Sequence, residues 1–314
     1  MGIGNAQTQP VAGLPHEAGS PSEVLGASHL FSVEVITLEG TPWAKGTDGL
    51  EHRALNMEMR LLDVQKGTVA LAPQKTFRLH VEQRREDEFL QLSFQGLWSH
   101  VTPAVGTRYL VFSEGASTDP AELMNEKLCK RLLDSGYAVD VRLATEGERI
   151  FRQAQGGGAQ NAAKGLLDFA QQNRAKARDV FGRFMWARVG PAFNETEGRS
   201  LPEMLQILRA PDTTRELRSA LAAELYAGVL LFEPTNDAYR KLTAAFLEML
   251  GQKENGITHG QLAEVYVYGL VFDAEDQPLL TTKDVPAAAR ASALATVSKL
   301  SSDRGKRLAA WLRG

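Results

Sequence analysis

Strictly alternating segments in the first third of the chain constrain its fold most. Leu55, Met57, Met59 and Leu61 take one side of a two-residue period, and Asn56, Glu58 and Arg60 take the other. Phe77, Leu79 and Val81 repeat the pattern against Arg78, His80 and Glu82. A period of two sends successive side chains to opposite faces of a pleat, so these segments predict strands with one buried face. Five strands follow, at residues 29–38, about 54–64, 75–83, 89–95 and 107–113. Gly40, Pro42, Gly46 and Gly49 break the chain between the first two, and residues 84–88 form a charged hairpin tip. After Arg108, the run Tyr109-Leu110-Val111-Phe112 is apolar on both faces, which places the last strand centrally.

Five strands with one amphipathic face each suit a small closed or nearly closed barrel. A meander or half of a sandwich satisfies the same pattern. The turn Val64-Gln65-Lys66-Gly67 and the strand Gly106-Thr107-Arg108-Tyr109-Leu110-Val111-Phe112 resemble the netrin-like, or tissue-inhibitor-of-metalloproteinase-like, OB-fold domain. The resemblance covers about residues 28–114 and implies a five-stranded antiparallel OB-like β-barrel. It does not imply metalloproteinase inhibition. Inhibitors of that family reach the zinc through an N-terminal cysteine, and the single cysteine here is Cys129.

Downstream the period changes. Asp119-Pro120 reads as an N-cap with proline at the first helical position, and Met124, Leu128 and Leu132 continue at helical spacing to Gly136. Residues 137–143 alternate like a short strand. Thr145-Glu146-Gly147-Glu148 has the form of a capping box opening a further helix. Gly156-Gly157-Gly158 reads as a loop or hinge. A stripe of Leu166, Phe169, Asn173, Ala177, Val180, Phe181 and Phe184 predicts one long helix ending near Gly190-Pro191. Further helices are expected at 202–208, 213–232, 236–250, 259–272, 286–300 and 303–312. Their short connections favour antiparallel neighbours in an all-α helical bundle, with HEAT-like helical hairpins as the alternative. The fold class is therefore α+β. Its expected segments are an extended N-terminus (1–28), a β-barrel domain (29–115), a connecting helical segment (116–158) and a helical domain (159–314).

A net charge of −3 argues against wholesale binding to nucleic acid or an anionic membrane. A lone cysteine forms no intrachain disulfide, and Cys129 beside Leu128 is expected to be a buried, inert thiol. No apolar run is long enough for a transmembrane helix. The Gly- and Pro-rich start reads as a floppy tail, or as the end of a truncated signal peptide in a bacterial exported protein. The compartment stays open between cytoplasm and export.

No motif for catalysis, metal or nucleotide binding survives inspection, so no catalytic residue, cofactor or metal is assigned. None of the six histidines stands at metal-ligand spacing, although His52, His80 and His100 could meet at one end of the barrel. Glu195/Glu197 and Asp273/Glu275/Asp276 read as solvated loop charges. The one patch suited to an anionic partner is Arg174, Lys176, Arg178, Arg183 and Arg188, interleaved with Phe181, Phe184 and Trp186. An amphipathic helix whose arginine stems cover an apolar stripe explains the same pattern. The C-terminal helix, with Arg304, Lys306, Arg307 and Arg313, offers the same choice.

A non-enzymatic binding or scaffold protein, engaging another protein through its barrel surface and helical domain, is the leading functional expectation. The alternatives are an enzyme with a site at the interdomain cleft, drawing on Trp98-Ser99-His100, and an OB-type nucleic-acid binder.

Overall fold

The structure is a computed structural model and describes residues 26–47, 49–85, 103–125, 128–254 and 256–314. The chain divides into two compact units between Ala138 and Val139. The first is an antiparallel sheet and the second is helical, an α+β arrangement in the expected order. The segment expected to connect the domains, 116–158, is shared between the two units.

The described sheet has strands β1 (His29–Gly40), β2 (Ala44–Lys45), β3 (Glu51–Lys66), β4 (Thr76–Arg85), β5 (Arg108–Ser113) and β6 (Cys129–Asp134). Its order is β2-β3-β1-β5-β6, with β4 also paired to β3. β3 is long enough to serve two partners. Residues 51–60 pair with β4 and residues 55–66 with β1. Register shifts in the β1–β3 ladder add local twist and curl the sheet. Phe31, Val33, Val35, Leu55, Met57, Met59, Leu61, Leu79, Val81, Tyr109 and Val111 fill its core, as the alternation requires. The other face of β1 is also buried. There Glu34, 9% exposed, lies directly opposite Arg60 on β3 and Arg108 on β5, and accepts hydrogen bonds from both. The Arg60 bond, with help from Arg108, outweighs burial and holds the Glu34 carboxyl below the usual carboxylate range.

The expected strand 89–95, and most of the expected hairpin tip at 84–88, lie outside the described residues. The helix expected from Asp119 to Gly136 is corrected. Asp119 does cap, its Oδ1 accepting the Ala121 N–H at 2.9 Å, but the helix, α1 (Pro120–Leu123), is a single turn. The chain then forms β6 against β5. A bulge opposite Phe112/Ser113 lets Cys129 and Leu132, three residues apart, both meet the core. Three-residue spacing of apolar residues imitates a helix in sequence. Cys129 is buried as expected, though on a strand.

The Lys66-Gly67 turn has a local cause. Gly67 has φ +79°, and a Cβ there would lie 2.5 Å from His29 Cδ2 and 2.6 Å from the Ser28 carbonyl oxygen. Backbone at that distance leaves no room for a side chain.

The helical unit contains α2 (Ala138–Ala154), α3 (Ala159–Asn173), α4 (Asp179–Glu195), α5 (Leu201–Arg209), α6 (Arg215–Val229) and α7 (Asp237–Leu250). After these come α8, made of His259–Gln261, a π-helical stretch Leu262–Val267 and Tyr268–Val271, then α9 (Ala287–Val297) and α10 (Asp303–Arg313). The short strand expected at 137–143 is instead the start of α2, and Thr145–Glu148 lies inside that helix rather than opening one. Gly147 admits close packing there. A Cβ on it would come within 2.9 Å of Leu166 and Phe184 side-chain carbons.

The single long helix expected over 159–190 is two helices, broken at 174–178. The second runs through Pro191 to Glu195. The break is held by Asp140 at the start of α2. Its carboxylate accepts the N–H of Arg178 at 2.6 Å and of Phe181 at 3.0 Å, capping α4, whose own N-cap side chain makes no such bond. Asp140 is fully buried. Burial pushes its carboxyl up to about 6, the two N–H bonds working against that rise and the nearby Asp179 adding to it.

Replacing Gly67 with Ala is expected to destabilise the β unit by about 1–3 kcal/mol, read as a lower urea midpoint. Asp140 has a second consequence. Its folded pKa lies above the unfolded value of 3.8, so the folded state keeps the proton to higher pH and stability falls as pH rises from about 4 to 6. Asp140→Asn cannot ionise. The stability of the wild type minus that of Asp140→Asn is expected to drop by on the order of 2–3 kcal/mol between acid and neutral pH in denaturant titrations.

Candidate functional site

The residues of the anionic-partner patch are placed on two elements and do not form one face. Arg174 sits in the α3–α4 break, where it bonds Asp212 at 2.7 Å and the Gln171 carbonyl. Lys176 is exposed in the same break, while Arg178 contributes its backbone N–H to Asp140. On α4, Arg183 and Arg188 are five residues apart, so they point roughly 140° away from each other around the helix. Arg188 donates to both oxygens of Glu148, at 2.7 and 3.1 Å, and Arg152 donates to the same carboxylate at 2.7 Å. Burial opposes ionisation of Glu148, but the two guanidinium bonds outweigh it and hold the group below the usual range. Phe181 and Phe184 are buried. Trp186 packs on Phe193, ring centroids 5.4 Å apart, and over Gly190 and Gly228, where a Cβ on Gly228 would stand 2.6 Å from the indole. The aromatic residues therefore build the core of the helical unit.

The C-terminal helix is treated similarly. Arg307 pairs with Asp276 at 2.8 Å, Arg304 stands 5.2 Å over the Tyr268 ring, and Tyr268 donates to Asp276 at 2.5 Å. Of the acidic loop residues read as solvated, Asp276 is thus engaged in an ion pair, and Asp273 accepts the N–H of Glu275 and Gln277 within its turn.

A site of a different kind lies on the β unit. Thr41, Pro42 and Ala44 from the β1–β3 connection, His52, Arg53 and Ala54 from β3, and His80 and Glu82 from β4 line an open groove of about 590 Å³. The register makes it. Ala54 lies opposite Glu82 and Asn56 opposite His80, and the two-residue period brings His52 to the same face. His52 Nδ1 lies 2.9 Å from Glu82 Oε1, and His80 Nδ1 lies 2.8 Å from Asn56 Oδ1. At its margin the Arg53 guanidinium stands 4.6 Å from the Trp43 ring centre and donates to Gln83 Oε1 at 2.7 Å. Thr41 Oγ1 accepts the Ala54 N–H at 2.9 Å. Two of the three histidines that could meet, His52 and His80, share a face; His100 lies outside the described residues, as does Trp98-Ser99-His100.

The shared face offers two imidazoles and a carboxylate on a shallow surface, while Arg53, opposite Gln83 in the ladder, meets the Trp43 ring at its margin. These are means of recognition. Among the described residues, no group of three or more His, Cys, Asp or Glu is placed to hold a metal ion. Nor is any described helix long and apolar enough to cross a membrane. Trp43 and Arg53 drew no attention in the sequence. Their meeting depends on β2 folding back on β3, with Ala44 opposite His52.

Comparison of the chain with protein-family models, with curated proteins and with solved structures finds no match.

Arg53→Ala removes a cation–π contact and a charged hydrogen bond at a half-buried position. It is expected to cost about 1 kcal/mol in chemical denaturation while leaving the circular dichroism spectrum unchanged.

Proposed function

We propose that the chain is a non-enzymatic binding or scaffold protein whose β unit is an OB-type module of the netrin-like kind. Two features support the fold part of this reading. Taken by pairing, the five longer strands run β4-β3-β1-β5-β6. An OB barrel joins its strands in the same order, third-second-first-fourth-fifth. The Val64–Gly67 turn and the β5 strand carry the sequence resemblance at matching places in that order.

The position of the groove carries the functional part. It lies on β3 and β4, the second and third strands of an OB barrel, and on the connection that precedes β3. OB folds use that face and that loop to hold ligands. Its mixed charge, Arg53 and the two histidines beside Glu82, suits a polar segment of another protein better than a polyanion, which calls for a uniformly basic track. The helical unit, on this reading, is an irregular bundle. Packing of second neighbours, α4 on α6 and α7 on α9, is compatible with an irregular bundle and with stacked helical hairpins alike.

The test is affinity capture from the native host with the full chain and with an Arg53→Ala/His80→Ala double variant. A protein held by the wild type and lost by the folded variant is the expected outcome. Identical partners for both would overturn the assignment to the groove. Salt-sensitive retention of single-stranded nucleic acid, with no captured protein, would replace it by the nucleic-acid reading.

A further inference from the structure

Helix α4 starts beside two buried carboxyls, and only one of them caps it. Asp140, fully buried, comes from the start of α2 and accepts the N–H groups of Arg178 and Phe181, at 2.6 and 3.0 Å. Asp179 lies between those two residues in sequence and opens α4. It is 9% exposed, and its Oδ1 is shielded from solvent with no hydrogen-bond partner among the described residues. The two carboxyls are close enough for the charge of Asp179 to push that of Asp140 up. The pair is separate from the β-unit groove and independent of that reading.

A shielded acceptor is ordinarily satisfied, and leaving it bare costs free energy. Asp179 Oδ1 is closed to a molecule the size of water, so its donor must come from the fold itself. A proton on Asp140 supplies one. An ionised Asp140 is an acceptor alone, whereas a protonated one keeps acceptor capacity for the two N–H groups and gains an O–H. Neighbouring buried carboxyls tend to hold a single proton between them, because two like charges in a dry place repel. The other ionisable group acting on Asp140 is Arg178, at the same helix start, which favours the charged form. Across the break, the N-cap of α6 presents neutral groups. The Thr214 hydroxyl donates to the Ala177 carbonyl, and the Thr214 N–H to the Arg174 carbonyl at 3.1 Å. The Arg174 side chain is turned to Asp212.

We propose that Asp140 and Asp179 share one proton and so form a pH-sensitive latch on the α3–α4 joint. In mild acid the Asp140 O–H donates to Asp179 Oδ1, and the start of α4 is held to α2. As pH rises the proton passes to solvent, the Asp140 charge is left facing that of Asp179, and the joint at 174–178 loosens. The closed joint keeps the proton to about pH 6, whereas an opened, hydrated Asp140 loses it near 3.8. Closure therefore weakens as pH climbs between those values, by up to on the order of a hundredfold in the opening equilibrium.

Carboxyl-carbon NMR titration of the full chain, with amide hydrogen exchange at Arg178 and Phe181, tests this. The carboxyl carbons of Asp140 and Asp179 are expected to show a common step near pH 6. Protection of the two amides, corrected for intrinsic exchange, is expected to fall on the order of a hundredfold from acid to neutral pH. Asp179→Asn removes the charged acceptor and offers N–H donors that favour an ionised Asp140. It is expected to lower the Asp140 midpoint by about one unit or more, the size of a hydrogen bond to a charged group. A merely structural Asp179 would leave that midpoint in place. In the wild type, an Asp179 carbon with no step at the Asp140 midpoint would overturn the proposal without recourse to a variant. So would an unchanged Asp140 midpoint in folded Asp179→Asn, or amide protection that does not fall with pH.

Discussion

Everything in the β unit depends on β1 satisfying both of its edges and both of its faces. Its residues from His29 to Val35 are buried without interruption, and it is hydrogen-bonded to β3 on one side and β5 on the other. A strand in that position cannot leave a charge unmatched. Glu34 is tolerated because the two ladders bring Arg60 and Arg108 directly opposite it, one from each neighbour. The register that buries Phe31, Val33 and Val35 is therefore the register that neutralises Glu34. A one-residue slip would undo both at once.

The helical unit has an analogous point of dependence in Asp140. Its carboxylate caps α4 from the start of α2, closing a contact between residues about forty positions apart. It fixes where the long apolar stripe of the sequence is cut, and hence which arginines share a surface. The patch of Arg174 to Arg188 is dispersed because that cut separates its first half from its second. Glu148 then engages Arg188 together with Arg152. The aromatic residues that made the patch resemble a binding face are those that pack α4 against its neighbours.

Local signals were legible and non-local ones were not. The alternation of Leu55 to Leu61 and of Phe77 to Val81 placed β3 and β4 to within a few residues, because a two-residue period needs no knowledge of the partner. Asp119, Asn236 and the start of α10 were readable for the same reason. An N-cap acts on N–H groups two or three residues away. Strand β6 was not, because the bulge opposite Phe112 gives Cys129 and Leu132 a helical spacing, and only the unpaired edge of β5 makes a strand of them. Of the groove, His52 and His80 were visible as candidates. Trp43 and Arg53 were not, since a two-residue strand and a cross-strand register bring them together.

By itself, then, the sequence determined that a sheet precedes helices, where most of those elements begin, and that β5 is interior. These follow from hydrophobic period and short-range capping, which act over a few residues. The tertiary structure decided the sixth strand, the cut between α3 and α4, and the assembly of the β3–β4 groove. Each of these rests on hydrogen bonds or packing between residues distant in the chain. Their free energy exists only once the folded backbone has brought them together.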